Sequence, residues 1–220
     1  MKSGLQVKDR TVAGAKPGTA ALHDPARFEV IADVAHGDVI SFVQPFIFQL
    51  SRIPVLYWLL NTALLGFLVW EWRRTSVPVL EAFSTVCLGM VLGFVVLLPI
   101  HEHIHGLAYR LCGANVVRVK YNLRRITALC EAPGAVVSGG HFVFVCLAPL
   151  FVLNPLLALP LLFLVKWKAI ALVGGALLLH TGACSGDIGL VNFVWQHRGQ
   201  RLFTYDDGEL QRAFFFKERP

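Results

Sequence analysis

Four long apolar runs decide most of what this chain can become. The first, residues 53–69, holds seventeen residues without a charge and ends in Trp70, Trp72, Arg73 and Arg74, an aromatic and basic anchor. The second covers residues 79–100 with Glu81 as its one interruption, and continues through residue 111. The third spans 142–165, free of charge but carrying Pro149, Asn154, Pro155 and Pro160, which predicts a kink or break near Asn154. The fourth, 169–195, contains a single acid, Asp187. At 1.5 Å per helical residue each run can cross a hydrocarbon core of about 30 Å.

Composition leaves little room for another reading. Of 220 residues, 55% are hydrophobic and 15% charged, against about 25% charged in ordinary globular chains. A body of this size keeps too much of its chain outside to hide that apolar surface from water. The balance argues against both a soluble one-domain enzyme and a disordered chain. Lys and Arg exceed Asp and Glu by 20 to 14, giving +6. These cations flank the apolar runs and form no aromatic-interleaved stripe, so a lipid bilayer is the expected partner and nucleic acid is not. Five cysteines without a CxxC pair support neither a disulfide framework nor a zinc knuckle. The first twenty residues lack an apolar stretch, so insertion is expected to be directed by an internal segment.

The expected fold is an all-α membrane bundle of about four transmembrane helices with a small extramembrane β-hairpin or sheet. Residues 1–27 read as a flexible N-terminal tail, 28–200 as a single membrane-embedded domain, and 201–220 as a C-terminal cytoplasmic tail. Within the domain the spans fall near 53–72, 79–111, 142–165 and 169–195. Residues 27–34 suggest a short strand, and 36–50 an interfacial lead-in helix around Pro45. Residues 116–132 alternate Val117, Tyr121 and Ile126 with cations around Asn122, a hairpin pattern. Residues 202–216 carry Asp207-Gly208 between β-prone segments, a second hairpin signal.

Four crossings put both termini and the 110–140 loop on one side. That side holds Arg52, Arg110, Arg118, Lys120, Arg124, Arg125, Arg198 and Arg201, and the other Arg73, Arg74, Lys166 and Lys168. The excess makes the first side cytoplasmic.

The sharpest chemical signal is His101-Glu102-His103-Ile104-His105. On a helix His101 and His105 share a face, so two imidazoles can hold one metal ion, and Glu102 stands where it can take a proton from water. His103 points away. A catalytic zinc needs a third protein ligand. The metzincin extension is absent, since Tyr109 stands three residues after Gly106 and no His follows in that stretch. Glu131 lies at a usable distance but within the expected hairpin. Asp187 is the stronger candidate, as a lone acid in an apolar run. His101 lies twenty residues past Glu81 and Asp187 eighteen past Ala169, which puts them at similar depth. His180, two turns before Asp187, is a supporting partner or an alternative ligand. Thr181, Gly182, Ala183, Ser185, Gly186 and Gly189 would let the fourth helix approach the second closely.

Taken together, His101-Glu102-Xaa-Xaa-His105 at a membrane helix end, Gly106-Leu107-Ala108, a basic hairpin, Ala148-Pro149-Leu150 and Ser185-Gly186-Asp187 resemble a known group. It is the bacterial family of multi-pass membrane proteins described as putative zincin peptidases, itself similar to the site-2 intramembrane metalloproteases. The resemblance covers roughly residues 50–200. It implies Zn²⁺ held by His101, His105 and Asp187, Glu102 as catalytic acid and base, and a peptide or membrane-protein substrate. Site-2 proteases carry Asn-Pro shortly before a Leu-Asp-Gly, whereas Asn154-Pro155 lies far upstream of Asp187. Their handling of the substrate strand is therefore not expected here. The reading is a multi-pass cell-membrane zinc metallopeptidase with its site near the cytoplasmic face. Its rivals are a non-enzymatic membrane protein that binds or transports a metal ion, and a membrane hydrolase of non-peptide bonds.

Overall fold

The computed structural model describes residues 16–122 and 127–220. A helical turn, α1 (Thr19–Leu22), precedes β1 (Phe28–Ala35), and a 3-10 turn (His36–Asp38) leads into α2 (Val39–Ile47). The long helices are α3 (Arg52–Arg73), α4 (Val79–Leu111) and, after the β2 (Arg118–Asn122) and β3 (Thr127–Glu131) hairpin and the short β4 (Val137–Ser138), α5 (Gly139–Leu161). The fourth apolar run becomes α6 (Trp167–Ala183) and α7 (Ser185–Gln196), and β5 (Leu202–Asp207) and β6 (Arg212–Glu218) follow. Four helical segments, with α6 and α7 counted as one, are long and apolar enough to cross a membrane. Their outer faces are covered by exposed Leu59, Leu80, Phe83, Val91, Val95 and Leu159, apolar where a water-soluble helix would be polar. Backbone polar groups on such faces have no water to turn to, which is why the runs resolve as helices. The molecule is a helical membrane bundle carrying a small sheet.

The interruption falls in a different run from the one the prolines suggested. α5 is continuous through Pro149, Pro155 and Pro160, and Asn154 spends its side chain on α6 and not on freed backbone. The fourth run breaks instead at Cys184, whose ψ of 0° departs from helical geometry. Its N–H still bonds to the His180 carbonyl and its own carbonyl receives Ile188 N–H, so few backbone groups are orphaned by the bend.

The close approach between α4 and α6 also lies elsewhere than expected. A methyl group at Gly89 would come within 2.3 Å of the Leu172 carbonyl oxygen, and one at Gly175 within 2.3 Å of that of Val86. These glycines let two backbones touch. Gly182 and Gly186, in contrast, face open space, and Gly189 packs against Val43 and Ile47 of α2. The small residues around Asp187 therefore do not make the α4 seam.

The strands form one four-stranded antiparallel sheet, in the order β1-β6-β5-β4, and a separate β2-β3 hairpin. Both expected hairpins are present, although residues 123–126, including Arg124, Arg125 and Ile126, lie outside the described residues, as do 1–15 of the expected tail. Residues 202–218, placed in a tail by sequence, supply the two central strands. Their loop is longer than a two-residue Asp-Gly turn: the Asp207 carboxylate accepts the N–H groups of Glu209 and Leu210, both at 2.9 Å, and Gln211 takes a positive φ of 55°. Phe215 on β6 meets Phe42, Phe142 and Phe193 edge-on or stacked, fastening the sheet to α2, α5 and α7. This junction lies beside the C-terminal end of α4, where the HExxH turn sits.

Candidate metal centre

The last three turns of α4 carry His101, Glu102 and His105, all less than a tenth exposed. Burying three polar side chains at one helix end is costly unless each finds a partner, so their contacts define the site. The His105 Nδ1 donates to the Val145 carbonyl of α5 at 2.9 Å, since that oxygen can only accept. Its proton is thus spent on one side, and Nε2 presents a lone pair on the other. That Nε2 lies 3.0 Å from His101 Nε2. The break at Cys184 sets α7 so that Asp187, in its first turn, closes the third corner: Oδ2 is 3.3 Å from His101 Nε2 and Oδ1 3.3 Å from His105 Nε2.

These separations can be tested against the geometry of a zinc site. Nitrogen and oxygen ligands about 2.0–2.1 Å from a tetrahedral zinc stand about 3.3–3.4 Å apart. The 3.0 Å between the two nitrogens, and the 3.3 Å from each nitrogen to its own Asp187 oxygen, come within a few tenths of an ångström of that edge length. His101, His105 and Asp187 also form a group whose ligand atoms all lie within 4.8 Å of one another. The donor set fits zinc.

Glu102 lines the same cavity as the three ligand candidates, across from Cys130 of β3. That cavity, about 950 Å³, is lined by His101, Glu102, His105 and Asp187 with apolar Val43, Leu97 and Phe142 around them. It is large enough for several residues of an extended peptide.

The remaining sequence candidates separate cleanly. His180 stands behind His101, Nε2 to Nδ1 at 3.2 Å, and with Cys184 and His101 makes a second group of metal-competent atoms. Glu131 is wholly buried but turned away, 2.7 Å from Lys120 Nζ and 3.3 Å from His36 Nδ1. It shares no group with the two histidines among the described residues. His103 is exposed and bonds the Pro99 carbonyl at 2.7 Å.

Two features escaped the sequence reading. One is the network behind the site formed by Asn154 and Thr181. The other is the cluster of His36, Lys120 and Asp206 around the buried Glu131, which ties the β1–α2 connection, the β2–β3 hairpin and β5 together. Burial raises the Asp206 carboxyl above its ordinary value, opposed by the Ala132 N–H and then by His36. The lone lysine among hairpin residues was its only signal in the sequence.

Residues 94–201 match the model of a protein family described as putative zincin peptidase. No curated protein and no solved structure matches the chain.

Proposed function

Because residues 94–201 match the model of a family described as putative zincin peptidase, we propose that the chain is a multi-pass membrane zinc metallopeptidase. The observation that carries this reading is the convergence of two imidazole Nε2 atoms and one carboxylate at 3.0–3.3 Å, beside a buried glutamate in an open cavity. His101, His105 and Asp187 would hold the zinc. When bound there it supplies a Lewis acid that polarises the scissile carbonyl and makes water a stronger nucleophile near neutral pH.

The chain's own residues do the rest. Glu102 takes the proton of the attacking water and hands it to the leaving amine nitrogen, so the C–N bond breaks as a C–O bond forms. The Val145 carbonyl holds the His105 ring, and His180 the His101 ring, so that neither ligand must reorganise during the reaction. The apolar cavity walls favour substrates with apolar side chains next to the cleaved bond, such as peptides or membrane-protein segments.

The protein is read as a resident of the cell membrane with both termini and the metal centre toward the cytoplasm. The distribution of arginine and lysine around the four spans supports this, eight against four. The decisive experiment is Glu102→Gln. It should keep one zinc per chain, because Glu102 is not a proposed ligand, and lose peptide hydrolysis by about 10²–10⁴-fold. Near-normal turnover would remove Glu102 from the mechanism. No hydrolysis by either form, with zinc retained in both, would favour the metal-binding or metal-transport reading.

A further inference from the structure

The value of His101 as a ligand depends on which ring nitrogen carries its proton, and the side chains behind it decide this by elimination. The Leu177 carbonyl can only accept, and it takes the Thr181 hydroxyl proton at 2.8 Å. With its single proton committed, Thr181 Oγ1 is left to accept, and Asn154 Nδ2 donates to it at 3.0 Å. The other end of the Asn154 amide, Oδ1, is thereby turned toward His180 Nδ1 at 2.7 Å, which must carry the proton. His180 Nε2 then offers a lone pair, and His101 Nδ1–H donates to it across 3.2 Å. His101 is left with a bare Nε2, the atom that faces His105 and Asp187.

We propose that Asn154 on α5, oriented by Thr181 and acting through His180, is a positioning residue that holds His101 in its metal-binding tautomer. The proposal rests on the zinc-site reading above. Reversal of the amide would invert every polarity in the line. Asn154 Nδ2 would donate to His180 Nδ1, His180 Nε2–H would donate to His101 Nδ1, and the His101 proton would move to Nε2 and block the ligand atom. That reversal requires the Thr181 hydroxyl to leave Leu177 for Asn154 Oδ1, so the helical back-bond of Thr181 is the element that selects the working state. His180 and Thr181 are almost wholly buried, at 2% and 1% exposure, and Asn154 is half-buried, so water has restricted access to these bonds.

The test uses the full chain in detergent micelles and reads zinc affinity by chelator competition, with Co²⁺ absorption as a second probe. Asn154→Leu should weaken zinc binding roughly 10–100-fold, the usual effect of removing a group that orients a ligand. Asn154→Asp keeps an acceptor facing His180 and should recover most of that loss. Thr181→Val should weaken binding in the same direction, whereas Thr181→Ser, which keeps the hydroxyl, should match the parent. The Thr181 pair decides the matter if Asn154→Leu does not fold. Equal affinities for Thr181→Val and Thr181→Ser, or equal losses in Asn154→Asp and Asn154→Leu, would overturn the relay. His105→Ala separates the two levels. If it keeps full zinc affinity, the zinc-site reading fails. If it loses zinc while Asn154→Leu and Thr181→Val do not, only the relay fails. A thiolate charge-transfer band in the Co²⁺ form that vanishes in Cys184→Ser would make His180 and Cys184 ligands, and would also overturn it.

Discussion

Substituting Gly175 by alanine attacks the seam between α4 and α6 without touching any polar group. The added methyl would sit 2.3 Å from the Val86 carbonyl oxygen and 3.2 Å from Met90 N. Both obstacles are backbone, so no rotamer change relieves the clash and the two helices must part. Ordinary carbon–oxygen contact at a little over 3 Å demands a separation of about 1 Å. Overpacking of this kind costs about 1–3 kcal/mol, and the better helix propensity of alanine returns about 1 kcal/mol. At about 2–4 °C per kcal/mol for a chain of this size, melting should fall by a few degrees. The larger effect should appear at the metal. α4 carries His101 and His105, and α6 leads into Asp187, so the parting is delivered to a site that tolerates about 0.5 Å of misplacement. Zinc affinity should therefore drop out of proportion to stability. Gly66→Ala is the control: it is also mid-helix, in α3, and its added methyl meets nothing within 4 Å. Thermal unfolding and zinc competition, both in detergent, read the comparison. A Gly175→Ala protein that melts and binds zinc like Gly66→Ala would show that the seam yields freely, and would refute the coupling.

Three other outcomes are expected. Asp187→Ala should release zinc, while Glu131→Gln should keep it and destabilise the hairpin instead, because Glu131 belongs to the Lys120 and His36 cluster; metal analysis showing the reverse would make the hairpin the third arm of the site. Because the folded Asp206 carboxyl titrates above its ordinary value of 3.8, the native protein holds that proton more tightly than the unfolded chain. Its contribution is full below 3.8 and is lost as pH rises through the raised folded value; Asp206→Asn should flatten the fall in melting temperature over that window, and unchanged slopes would refute the assignment. Reporters fused after residues 75 and 167 should lie outside the cell and those after 125 and 210 inside, and export of the 125 fusion would reverse the orientation.

What the sequence disclosed followed from short-range rules. Uncharged runs of membrane length marked the four spans, and the i, i+4 spacing of His101 and His105 put them on one face without any knowledge of tertiary structure. Depth counting put Asp187 at the level of that face, and the bend at Cys184 leaves it there, 3.3 Å from each imidazole. The misplaced features all depend on partners distant in sequence. Pro155 signalled a break, yet whether a membrane helix breaks depends on what satisfies its freed carbonyls, and the bend settled at Cys184 with no proline. Asn154 beside Pro155 carries no local sign of its partners, His180 and Thr181, which stand 26 and 27 residues away. Gly182 and Gly186 were credited with the helix contact that Gly89 and Gly175 make, since small residues reveal where a helix can approach and not which neighbour arrives. The strands of 202–218 read correctly as a hairpin, but their central position required β1, nearly the whole chain away.

That pairing has a consequence for biogenesis. β1 precedes the first span, β4 falls between the second and third, and β5 and β6 follow the fourth, yet all four share one sheet. Strands can zip together only in one aqueous compartment, so an even number of crossings must separate each from the next. A chain that failed to insert one helix would strand Phe28 and Glu218 on opposite faces of the bilayer with no means of meeting. The sheet thus acts as a check on membrane insertion: a chain with an odd number of crossings cannot close it, and the Phe215 contacts to α2 and α5 come with that closure. A misthreaded copy would expose its unpaired strand edges to quality-control proteases before it could assemble a metal centre of its own.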